Sequence, residues 1–174
     1  ARTGVFASVG GFDESLIAGE EPELCHRIRR AGLRVYRIDQ PMTLHDAAMT
    51  SARQWARRTS RSGYAYAAGF VLHRKDGTGY RLRENLRIIL WAAAIPFGIV
   101  LLALLASPWW LLALGVYPVQ IARVAIQNRR RWPAGPSLAY ATSNVLGKWP
   151  EFSGQLLFLA RMMRRSPQRI IEYK

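Results

Sequence analysis

The sequence predicts an α/β unit at the N-terminal end, then an α-helical membrane hairpin and a helical tail lying at the interface. Three observations predict this. Leu24, Cys25, Ile28 and Ala31 recur at helical spacing, and a short β-prone stretch at 33–38, with Val35 and Tyr36, follows at once. Residues 88–122 run for 35 positions without a formal charge. The formal net charge of +14 is divided unevenly, −1 up to Thr50 and +15 from Ser51 onward.

The first helix has start and stop signals. Pro22 suits the first helical position and Gly32 the position just past the end. Before it, Phe6-Ala7-Ser8-Val9 leads into Gly10-Gly11, and Phe12-Asp13-Glu14 begins a loop. One helix of about eleven residues beside one strand cannot bury a core alone. The chain is therefore expected to be a piece of a longer protein, and Ala1-Arg2-Thr3-Gly4 carries neither an initiator Met nor a signal peptide. The single Cys25 excludes an internal disulfide and a multi-cysteine zinc site, fits a reducing compartment, and reads as a small core residue.

A continuous helix over the uncharged run would be roughly 50 Å long, against a hydrocarbon core of roughly 30 Å. A break is needed, and Ser107-Pro108 supplies it, giving spans at about 86–106 and 108–126. Trp91, Trp109, Trp110 and Trp132 fall near the span ends, where indoles favour the water interface. Arg74, Lys75, Arg81, Arg83 and Arg87 precede the hairpin, and Arg123, Arg129, Arg130 and Arg131 follow it. Both ends are expected at the cytoplasmic face of the inner membrane. Basic residues flanking apolar spans point to anionic lipids as partner, and not to nucleic acid. In the tail, Lys148, Pro150 and Glu151 interrupt the apolar pattern, favouring an amphipathic interfacial segment over a third span. The resulting division is 1–70, 71–87 (basic linker), 88–126 (hairpin) and 127–174 (basic loop and tail).

Glu20-Glu21-Pro22-Glu23 places three carboxylates at a helix start, where free N–H groups favour the ionised form. A carboxylate held there can act as a general base or hold a sugar hydroxyl; ordinary acidic capping accounts for the same tetrapeptide. Arg53, Arg57 and Arg61 form a basic line at i, i+4, i+8, suited to a solvated face, a donor diphosphate or lipid phosphates. Gly63, Tyr64, Tyr66 and Gly69 suit helix packing, and aromatic faces can also stack on sugars. His45 beside Asp46 could complete a divalent-metal site or simply bond at a strand end. His26 and His73 lack such context.

Val9-Gly10-Gly11-Phe12-Asp13-Glu14, Gly19-Glu20-Glu21-Pro22-Glu23-Leu24 and Arg27-Ile28-Arg29-Arg30-Ala31-Gly32 together resemble the C-terminal half of the family 2 glycosyltransferase domain. The resemblance covers about residues 1–70, with a looser similarity through the membrane part to exopolysaccharide glycosyltransferases. It implies a C-terminal fragment of a GT-A (Rossmann-like) domain, an inverting reaction and a nucleotide-diphosphosugar donor. It also implies a lipid-linked or polysaccharide acceptor and a Mg or Mn ion whose main ligands lie upstream, so that the chain alone is expected to be inactive. Glu21 matches the catalytic base, with Glu20 and Glu23 orienting it; this chain has Glu where many members have Asp. Asp13, Arg53, Gln54 and Arg57 are the expected substrate-binding residues, and His45 the expected metal ligand. Gln54-Trp55-Ala56-Arg57-Arg58 is similar to the QxxRW motif of processive synthases, but Arg58 stands where Trp is expected, which argues against a cellulose or hyaluronan synthase. The competing class is a non-catalytic module docking on lipid or on a synthase partner.

Overall fold

The computed structural model describes residues 2–36, 38 and 49–164. Its helices are α1 (Thr3–Ser8), α2 (Glu20–Arg30), α3 (Ala52–His73), α4 (Leu82–Ile89), α5 (Ile95–Leu105), α6 (Val116–Asn128), α7 (Ala134–Leu146) and α8 (Lys148–Met163). A π-turn at Leu90–Ala94 joins α4 to α5, and a 3₁₀ segment at Pro108–Gly115 precedes α6.

The expected α/β class, and with it the GT-A (Rossmann-like) architecture, is overturned, because every regular element among the described residues is helical and no strand or sheet occurs. The stretch at 33–38 was the expected strand. Leu33, Arg34, Val35 and Tyr36 have no regular structure, and Tyr36 and Ile38 are exposed. Alternating β-branched and aromatic residues make a strand only when a neighbour takes their backbone bonds, and among the described residues no strand pairs with them. The helix before them fares differently. It starts two residues ahead of Pro22 and ends as expected: Gly32 is left-handed, its N–H donates to Arg29 O and the Leu33 N–H to Ile28 O.

The helical body next to the candidate site is built on the packing of α3 against α8. The two backbones nearly touch. A β-carbon on Gly154 would stand 1.9 Å from the Ser60 carbonyl oxygen, so only glycine fits. Beside this crossing, Tyr64, Ala67, Ala68 and Phe158 form a core with Ile17, and the rings of Tyr64 and Phe158 meet edge to face at 5.3 Å. Burying such a side chain contributes about 1.5–3 kcal/mol. Ser51 caps α3 by accepting the Gln54 N–H, while Gln54 Oε1 accepts the Ser51 and Thr50 N–H groups.

Among the described residues two helices are long and apolar enough to cross a membrane, Leu82–Leu105 and Pro108–Asn128. Phe97, Leu104, Leu105, Trp109, Leu112, Val119 and Ile126 all point outward, uncovered by the rest of the chain. A buried helical pair in a soluble core would hide these side chains; their exposure is the kind that membrane association would cover. The spans fold back on each other. Leu102 O accepts the N–H groups of both Ala106 and Ser107, the chain turns there, and Tyr117 Oη donates to Trp91 O at 2.6 Å. Trp91 therefore lies within the hairpin, whereas Trp109 is at the turn and exposed. The tail folds as α7 against α6 and α8 against α3.

Candidate functional site

One guanidinium ties together the segments that carry the sequence motif. Arg27 donates through Nε and Nη2 to both oxygens of Glu23, each at 2.7 Å, one helical turn away. The same side chain donates to the carbonyls of Val9 and Gly11 (2.6 Å to Gly11), the turn that ends α1. The glycine pair and the acidic helix are thus joined by a single fork. The Glu23 carboxylate raises the pKa of Arg27 further above its ordinary value, against the opposing effect of burial.

Glu23 is buried, at 1% exposure, and is also met from α3: His73 Nε2 lies 2.9 Å from Glu23 Oε1. The other nitrogen of that ring, Nδ1, lies 3.0 Å from Asp76 Oδ2, and His26 Nε2 approaches the same oxygen at 3.2 Å. Tyr80 stacks on His26 with ring centroids 4.3 Å apart. Asp76 accepts the hydroxyl (2.6 Å) and the N–H (3.0 Å) of Thr78 through Oδ1, and Arg30 lies 3.3 Å from Oδ2. The Thr78 hydroxyl, then its amide, His26 and Arg30, hold the Asp76 carboxyl well below the usual carboxylate range.

In front of this cluster a pocket of about 650 Å³ opens between the loop entering α2, the middle of α3, and Tyr80-Arg81. Its volume suits a small molecule. Gln54, Arg58, Arg61, Tyr66, Tyr80 and Arg81 give it its chemistry. Arg81 has φ +61° and is the one left-handed residue other than glycine among those described. Such a backbone costs of order 1–3 kcal/mol and persists only where its surroundings fix it. Here the guanidinium lies 5.0 Å from the Tyr66 ring centroid and 5.1 Å from that of Tyr80, and donates to Glu84 at 2.9 Å. Asn85 donates to the carbonyls of Tyr66 and Arg81, and Gln155 of α8 donates to Asn85 Oδ1 at 2.6 Å. Burial raises the phenol pKa of both Tyr66 and Tyr80, so both remain neutral.

The sequence-predicted residues divide between several places. Glu21 is exposed and Glu20 half-buried in the first turn of α2, while Glu23 faces inward to Arg27 and His73. Asp13 accepts from the amide and hydroxyl of Ser15; the Ser15 hydroxyl bond is the main cause that lowers its pKa. Gln54 reaches the pocket while capping α3. Of the basic line, Arg61 lines the pocket and donates to Ile17 O at 2.6 Å, whereas Arg53 and Arg57 are exposed and outside the lining. Arg58, set aside in the sequence as a departure from a motif, lines it as well. Tyr66 and Gly69 line the pocket, and Gly63 and Tyr64 serve the α3–α8 packing. His45 and Asp46 lie outside the described residues.

His26 and His73 are the residues the sequence reading missed. They are 47 positions apart in the chain, and only the docking of α2 on the end of α3 brings them together. The one local signal was the pairing of His73 with Asp76 at i, i+3. No family model, curated protein or solved structure matches this chain.

Proposed function

We propose that this chain forms the acceptor-side, membrane-anchoring part of an inverting glycosyltransferase, which moves a sugar from a nucleotide-diphosphosugar to a lipid-linked acceptor at the cytoplasmic leaflet. One observation carries the reading. Arg81 lines the arginine and tyrosine pocket, and the next residue, Leu82, begins the first membrane-length helix. An acceptor with a phosphate head and a hydrocarbon tail suits both at once, its anion among the arginines and its tail along the helix in lipid. That supports a lipid-linked acceptor over a free polysaccharide.

In this reading Arg58, Arg61 and Arg81 neutralise the phosphate, and the ring faces of Tyr66 and Tyr80 offer a surface to a sugar. Glu21 sits in the turn whose neighbours Gly19, Pro22 and Glu23 form the pocket wall. It takes the proton of the acceptor hydroxyl as the new C–O bond forms at the anomeric carbon and the nucleoside diphosphate leaves. Glu23, engaged with Arg27 and His73, is a positioning residue that fixes this turn. A divalent ion would neutralise the departing diphosphate. The basic residues on both sides of the hairpin set both its ends at the cytoplasmic face.

The test uses membranes containing the native protein, labelled nucleotide-sugars and added polyprenyl phosphate. Label should enter the organic-extractable lipid, and Arg58→Ala should raise the acceptor KM by roughly 10-fold or more, the effect of losing one charge-assisted contact. Absence of label from lipid, or an unchanged KM, contradicts the reading.

A further inference from the structure

We infer that His26, His73 and Asp76 form a binding site for a divalent transition metal, zinc above all, which braces the wall behind the pocket. The inference rests on the geometry of these three side chains and stands apart from the sugar-transfer reading. His26 Nε2 and His73 Nδ1 approach a single oxygen, Asp76 Oδ2, at 3.2 and 3.0 Å, and the three ligand atoms lie within 4.8 Å of one another. Zinc bound at about 2.0–2.1 Å in tetrahedral geometry sets its ligand atoms about 3.3 Å apart, so two of the three edges already match. Two imidazoles and one carboxylate form a donor set suited to zinc, with a fourth position for water.

The surroundings of His73 point the same way. Its Nε2 faces the buried Glu23 carboxylate at 2.9 Å while its Nδ1 faces Asp76. Metal-bound histidines characteristically donate their other N–H to a carboxylate, and Glu23 is placed to accept it. Glu23 is in turn fixed by the Arg27 fork, which also holds the Val9 and Gly11 carbonyls. A metal at this point would connect α2, the end of α3 and the Asp76 turn to the α1 turn. The Arg30 guanidinium, 3.3 Å from Asp76 Oδ2, must move aside; it is half exposed and free to swing into water. Access exists on the His26 side, whose side chain is 14% exposed against 9% for His73 and 7% for Asp76.

The experiment is calorimetric titration of the chelator-stripped full chain in detergent with Zn²⁺, with the visible absorption of Co²⁺ as a second readout of tetrahedral coordination. The expected result is one ion per chain bound at micromolar affinity or tighter. His26→Gln and Asp76→Asn should each weaken binding by roughly 10-fold or more, and Glu23→Gln by roughly 10–100-fold. Glu14→Gln, at an exposed carboxylate, should leave it unchanged. His26→Gln alters the most exposed of the three, and helix content by circular dichroism identifies any variant that fails to fold. The inference is overturned by no saturable binding, by binding unchanged in folded His26→Gln, or by binding lost in folded Glu14→Gln.

Discussion

The carbonyl oxygen of Glu151 occupies the space of a side chain at Gly63, where a β-carbon would stand 1.9 Å away. Gly154 on α8 has the same relation to Ser60, so the crossing is closed from both sides by backbone. Gly63→Ala should therefore force α3 and α8 apart. Overpacking typically costs about 1–3 kcal/mol, and a rigid backbone neighbour puts this case at the upper end or beyond. Thermal unfolding in detergent should show a lower midpoint for Gly63→Ala and Gly154→Ala, and no comparable change for Gly98→Ala, where nothing lies within 4 Å of the added atom.

The Arg27 fork makes a prediction that lysine cannot rescue. A guanidinium reaches both oxygens of Glu23 and two carbonyls at once, whereas an ammonium is a point charge with no fork. Arg27→Lys should keep the charge and release the α1 turn. Hydrogen exchange should then show lost protection at Gly10 and Gly11, whose N–H groups donate to Ala7 and Phe6, while α6 and α7 keep theirs. Unchanged protection would mean that α1 is held by something else.

The basic flanks of the hairpin predict its orientation. In a Cys25→Ala background, cysteines placed at Lys75 and Arg130 should both be shielded from an impermeant thiol reagent in intact cells, and one at Ser107 should be labelled. Opposite labelling of the two flanks would leave only one span and remove the hairpin from the account.

The parts of this fold that were legible in the sequence are those whose signal is local. The uncharged run and Ser107-Pro108 marked two helices of membrane-spanning length and apolarity, and Gly32 marked the end of α2. The stretch at 33–38 misled because β-propensity describes a pleated, half-buried surface, and among the described residues no neighbouring strand provides one. The site was only partly legible. Periodicity singled out Arg53, Arg57 and Arg61 together, yet only Arg61 reaches the pocket, because the docking of the Ile17 loop decides which side of α3 is lined. Arg81 and the two histidines depend on contacts between α2, α3 and the loop after it, and spacing along the chain carries no trace of those.

The central claim is that the acidic turn of α2 works on an acceptor held in the arginine pocket. The most direct measurement is the turnover number of Glu21→Gln in the native protein, at saturating nucleotide-sugar and lipid acceptor. Glu21 is exposed, so the variant should fold and bind as before. Its kcat should fall by roughly 10²-fold or more, the usual contribution of a positioned general base, with the acceptor KM nearly unchanged. A kcat close to that of the unaltered protein would contradict the account.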